Sequence, residues 1–156
     1  MRGLERTELE HFAEGYYRDL IKPNLIPEAV SELMRLQGLG YRIIILSGGY
    51  NLYLKCFADE FGITDVVSSV IDFKKEVCTG RIKGKDCLWE HKIEMLEEYC
   101  RQNQIEIDRK ESFAFSDSES DLPMLEYVGK RIIVHRKDRK KWYSKIDYYK
   151  EIIWDA

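Results

Sequence analysis

Ser47-Gly48-Gly49 supplies a hydroxyl and backbone amides without side chains, just ahead of a helical pattern. Such a turn can cradle an anion such as phosphate; it can equally be a plain tight link from strand to helix. Ser116-Asp117-Ser118-Glu119-Ser120-Asp121-Leu122-Pro123-Met124-Leu125 gathers acids and hydroxyls at one strand end, with Asp117 and Asp121 four positions apart. Hard oxygen ligands of this kind favour magnesium. The same composition also suits a helix N-terminus, with Ser118 or Ser120 as cap and the acids complementing the dipole. Between these stretches, Lys92 would add a cation to a hydroxyl and a metal-binding carboxylate, or would simply be solvated as most lysines are.

The surrounding pattern says which elements must hold these residues. Thr7 and Glu10 fit a capping box for a helix over about 7–21, and Pro27 opens a second helix that runs to Gly38 or Gly40. Residues 41–46, YRIIIL, form a continuous apolar run of the sort found in a buried parallel strand, which Ser47-Gly48-Gly49 should stop. A helix from Tyr50 towards Gly62, a strand at 66–70, a hairpin excursion over 71–86 and a helix over about 88–102 follow. The last third reads as strand 112–116, helix 120–127, strand 131–135, a short basic helix and a strand at 151–154. Strands separated by helices predict an α/β fold, a three-layer Rossmann-like parallel sheet. Ser47 and Asp117 then stand at carboxyl ends of strands, where open α/β sheets bind ligands.

The chain has 156 residues, 44% hydrophobic and 34% charged, with a formal net charge of −3. That composition fits one soluble domain. There is no signal-like N-terminal stretch, and the apolar run Ile43–Leu46 is far too short for a bilayer, so the expected location is cytoplasmic and no membrane partner is expected. Cys56, Cys78, Cys87 and Cys100 lack metal spacing and read as free thiols. His11, His91 and His135 are scattered and receive no catalytic role.

IIILSGG, then Lys92 in WEHKIEMLEEY, then FSDSESDLPML, in this order and spacing, resemble the second, third and fourth motifs of the haloacid dehalogenase superfamily, phosphoserine-phosphatase-like branch. The resemblance extends from about Leu25 to Trp154. It implies a magnesium-dependent phosphohydrolase acting on a small phosphorylated metabolite. It further implies that Ser47 and the amides of Gly48 and Gly49 hold phosphate oxygens, that Lys92 neutralises phosphate and nucleophile, that Asp117 ligates Mg2+, and that Asp121 supports it from behind.

In that superfamily the nucleophile is the first aspartate of an upstream Asp-x-Asp motif, and this chain contains no such segment. On this reading the chain is truncated: residues 1–26 are the remnant of a helical cap, 27–156 a core lacking its first strand, and phosphatase turnover by these residues alone is not expected. The strands beside the missing one would have to close on each other, take a strand from another chain, or complete the sheet in a swapped homodimer.

A non-catalytic module binding phosphate, magnesium or a partner is the alternative. Lys130, Arg131, Arg136, Lys137, Arg139, Lys140, Lys141 and Lys145, with Trp142 and Tyr143 interleaved, raise nucleic-acid binding, but read first as a solvated face. Trp142, Tyr143, Tyr148, Tyr149 and Trp154 read as packing aromatics.

Overall fold

The computed structural model describes residues 1–135, 142–143 and 147–153. The chain folds as two compact units, Met1–Cys87 and Leu88–Ala156. Helices alternate with parallel strands in both, so the α/β expectation holds.

In the first unit, α1 spans Arg6–Tyr16 and continues through a wide turn at Tyr17–Ile21 and a tight one at Lys22–Asn24. It begins earlier than Thr7 predicted because the preceding residues are claimed by a neighbouring strand. Gly3 N–H donates to Cys78 O, Cys78 N–H to Leu4 O, and Arg6 N–H to Glu76 O, at 2.8–2.9 Å. The capping box is therefore Glu5 with Glu8, whose carboxylate accepts the Glu5 N–H at 2.8 Å. Helix α2, Pro27–Gly38, carries proline in its first turn as expected. It ends where Gly40 N–H returns to Gln37 O and Tyr41 N–H to Leu36 O, with Gly40 at φ +83°.

Because Tyr41 still serves that helix end, strand β1 starts only at Ile44 and runs to Tyr50. Ser47-Gly48-Gly49 does not stop it. Ser47 pairs with Ser68 and Tyr50 with Ser69, so the two glycines bulge out between successive rungs of a parallel ladder with β2, Asp65–Ser69. Arg42 clamps the start of that ladder, its guanidinium bonding both oxygens of the buried Asp65 at 2.7 and 2.8 Å. Helix α3, Asn51–Glu60, leads from β1 to β2, and α1 packs against it. Tyr17, on the turn after α1, is buried and donates to Glu60 at 2.9 Å.

The predicted hairpin is β3, Ile71–Lys74, with β4, Val77–Ile82, antiparallel. Its two turn residues, Lys75 and Glu76, both have positive φ, 49° and 63°, the mirror-image turn that suits strand twist and usually takes Asn-Gly. Leu9, Ile71 and Cys78 form a buried cluster, with Leu4, Leu52 and Phe73 packed on it.

In the second unit, α4 spans Glu90–Gln102, β5 Phe113–Ser116, α5 Leu122–Tyr127, β6 Lys130–His135 and β7 Lys150–Ile153. The strands form one parallel sheet in the order β5-β6-β7. Ala114, Leu125, Val128, Ile133 and Tyr143 make its core. Gly129 is required for close approach: a Cβ there would lie 2.5 Å from Lys110 O. The aromatic expectation is met only in part. Tyr143 is buried and donates to Glu151 at 2.7 Å, whereas Tyr149 is 66% exposed. The basic helix, with Arg136, Lys137, Arg139, Lys140, Lys141 and Lys145, and also Trp154, lie outside the described residues. Lys130 and Arg131 lie within them, Lys130 bonded to Glu111 and Arg131 donating to Asp147 O at 3.1 Å.

Candidate active site

The predicted site residues divide between the units: Ser47, Gly48 and Gly49 belong to the first, Lys92, Asp117 and Asp121 to the second.

In the first unit, Ser47 closes the regular part of β1 and its Oγ accepts the Gly49 N–H at 3.1 Å. Hydroxyl and amide therefore already satisfy each other in a short loop, and an anion would have to take over that contact. Sequence reasoning missed a third group here. A Cβ built on Gly49 would fall 2.0 Å from Tyr53 Oη and 3.3 Å from Ser47 Oγ, so both hydroxyls flank one bare Cα. The Tyr53 ring is held edge-on by Tyr16 of α1, centroids 5.4 Å apart at 68°. Burial lifts the Tyr53 phenol above its ordinary pKa, partly offset by the Tyr50 N–H. A tyrosine one helical turn beyond a Gly-Gly bulge was the available signal.

In the second unit, Lys92 lies on α4 and is 4% exposed. An ammonium this deep costs several kcal/mol unless paired, and Lys92 Nζ bonds Asp121 Oδ1. The solvated-lysine reading is thereby excluded. Asp121 is doubly held, because its Oδ2 accepts from the buried Ser116 Oγ at 2.7 Å. Ser116 in turn accepts the Ser118 N–H at 3.0 Å, so the hydroxyl ending β5 orients the carboxylate that orients the lysine. Ser118 also caps the turn Glu119–Asp121 through the Ser120 N–H, 3.3 Å. The capping reading of this segment is thus met by Ser118, while Ser116 and Asp121 are bonded to each other.

Asp117 follows β5 directly and is half-buried. Both Asp121 oxygens are committed, and Asp117 is the carboxylate expected from the sequence to contact a metal ion. Among the described residues, no group of three or more His, Cys, Asp or Glu side chains is placed to hold one. One or two carboxylates suffice for Mg2+ only where water and substrate phosphate complete the shell, and the donors present fit that partial role. No described helix is long and apolar enough to cross a membrane.

The haloacid dehalogenase-like hydrolase family model matches residues 1–126. A phosphoserine phosphatase of Polaromonas sp. is 30% identical over 127 residues, covering 79% of this chain and 52% of that protein. The phosphoserine phosphatase of Albidiferax ferrireducens is 29% identical over 115 residues, covering 71% and 48%. The chain thus spans about half the length of these curated relatives. Among solved structures, a protein of unknown function from Bordetella pertussis Tohama I superposes with TM-score 0.77 at 23% identity, covering 84% of this chain and 59% of that one. A probable phosphoserine phosphatase from Vibrio cholerae, unliganded, gives TM-score 0.70 at 19% identity, covering 97% and 43%. At those identities the likeness concerns the fold.

Proposed function

The chain belongs to the haloacid dehalogenase-like hydrolase family, and on that premise we propose that it carries the phosphate- and magnesium-binding part of a phosphoserine-phosphatase-like phosphomonoester hydrolase. The observation that carries this reading is the buried Lys92, held by Asp121, which Ser116 holds in turn. A structural lysine gains nothing from such a setting that an apolar residue would not supply better, whereas a fixed ammonium beside a metal-binding carboxylate is what a phosphate dianion requires.

In this reading Ser47 and the bulged glycines receive phosphate oxygens, Lys92 balances their charge, and Asp117 holds Mg2+ with Asp121 behind it. Bound Mg2+ would polarise the phosphoryl group and neutralise its developing charge. Ser116 and Asp121 keep Lys92 aimed without touching the substrate. A small phosphorylated metabolite is the proposed substrate class, with phosphoserine, on which the named relatives act, the first to test. Residues 1–26 are proposed as part of a cap over this core, and the cytoplasm as the location.

No Asp-x-Asp stands ahead of Ser47 in these 156 residues, so the nucleophile that forms an aspartyl-phosphate in the family is not among them. The 156-residue chain is therefore proposed to bind phosphate with Mg2+ without turning it over. A second copy or another chain is proposed to complete the sheet, a reading supported by the half-buried Ile44 and Ile45 of β1. Calorimetry with inorganic phosphate, with and without Mg2+, and phosphate release from phosphoserine test this together. Magnesium-dependent binding lost in Asp117→Ala, with no release, is expected. Release abolished by Asp117→Ala would show that the chain is catalytic by itself, and absence of any phosphate binding would remove the proposal.

A further inference from the structure

We propose that the Tyr53 hydroxyl is a further phosphate-oxygen donor of the Ser47-Gly48-Gly49 loop, held there by Tyr16. The inference rests on the proposed reading of that loop as a phosphate cradle and adds a residue to it.

Three observations support it. First, the place where any side chain at position 49 would begin is filled by Tyr53 Oη, at 2.0 Å, with Cζ at 2.9 Å. Residue 49 must therefore be glycine as long as the phenol is there. The same Cα lies beside Ser47 Oγ, so the phenol joins the predicted donors and does not lie elsewhere on α3. Second, the ring is supported from outside. Tyr16 packs edge-on against it from α1, and an aromatic side chain with only two rotatable torsions is ordered at small entropic cost. Third, the chemistry matches. Among the described residues the Tyr53 O–H meets no hydrogen-bond acceptor. A phosphate dianion offers only acceptors, and a neutral phenol supplies the complementary donor.

The arrangement also gives α1 a role. Tyr16 belongs to the segment read as cap remnant, so that segment reaches the phosphate loop through one ring contact and sets where the phenol stands.

The test uses the full chain labelled with 13Cζ-tyrosine in the presence of Mg2+, titrated with inorganic phosphate. The Tyr53 signal is assigned by its loss in Tyr53→Phe, which keeps the ring and its contact with Tyr16. The expected result is a saturable shift of the Tyr53 resonance, with phosphate binding weakened about tenfold in Tyr53→Phe and by less in Tyr16→Leu. Phosphate binding that is lost in Ser47→Ala but unchanged or tighter in Tyr53→Phe overturns the role of the phenol and leaves the cradle standing. Phosphate binding that is absent, or indifferent to Ser47→Ala, overturns the cradle and the proposal with it. Should a variant misfold, the wild-type resonance still decides: a Tyr53 signal unmoved at saturating phosphate overturns the contact.

Discussion

Arg42-Ile43-Ile44-Ile45-Leu46 and Arg131-Ile132-Ile133-Val134-His135 are near-copies in sequence, and both feed parallel strands. Strand β6 lies between β5 and β7, and its Ile132, Ile133 and Val134 are 2%, 0% and 8% exposed. Among the described residues strand β1 pairs only with β2, and Ile44, Ile45 and Leu46 are only half-buried. An apolar run therefore states how much surface a strand is able to bury, and its neighbours decide how much it does bury. The ionic pairs differ in a parallel way. The second unit buries the cation, Lys92, while the first buries the anion, Asp65, and leaves Arg42 55% exposed.

The largest effect should come from truncating the better-packed strand. Ile133→Ala is expected to lower stability by about 4 kcal/mol and Ile45→Ala by about 2 kcal/mol, measured by urea unfolding at constant m-value; equal losses would break the comparison. Lys92→Met leaves the half-buried Asp121 carboxylate without its cation and should cost about 3 kcal/mol. Arg42→Met should cost less, about 1.5 kcal/mol, because Thr64 Oγ1 still reaches Asp65 at 3.3 Å. The reverse ranking would show that the anion is the more demanding buried charge. Ser116→Ala removes one hydrogen bond to that network and should cost about 1.5 kcal/mol while weakening phosphate binding, with Ser116→Thr restoring both.

The smallest effect is shared by the units. Burial, and hydrogen bonding to Glu60 and Glu151 respectively, push the phenols of Tyr17 and Tyr143 up to about 12. A raised phenol pKa means the neutral form is favoured in the fold. Its stabilisation is complete below the ordinary value near 10 and is lost as pH rises towards 12. Absorbance titration at alkaline pH should lose one of its latest phenols in Tyr17→Phe and another in Tyr143→Phe. Titration of both near 10 would mean that neither tyrosine is buried as described.

The strand-helix alternation was legible because apolar runs and glycine breaks are local signals. Ser47, Lys92, Asp117 and Asp121 were singled out by their residue types and by a resemblance, and the structure adds the bond from Lys92 to Asp121. What escaped the sequence depended on distant partners. The start of α1 moved because residues 3–6 bond to β4, some seventy positions away. The two glycines became a bulge in place of a stop because Ser68 and Ser69 continue the ladder past them. Tyr53 was missed because its hydroxyl matters through a missing Cβ, and the bond from Ser116 to Asp121 because a serine at a strand end ordinarily reads as a cap.

The turn at Lys75-Glu76 bears on the order of folding events. Two non-glycine residues at positive φ each cost about 1 kcal/mol in the local chain, so this hairpin is a poor nucleus by itself. Its compensation comes from Arg6, whose N–H bonds Glu76 O and whose guanidinium meets the Glu76 carboxylate and covers the Phe73 ring. Closing a loop that long must precede the reward. The first unit should therefore complete its hairpin late, and placing Asn-Gly at 75–76 should raise its folding rate more than it lowers its unfolding rate.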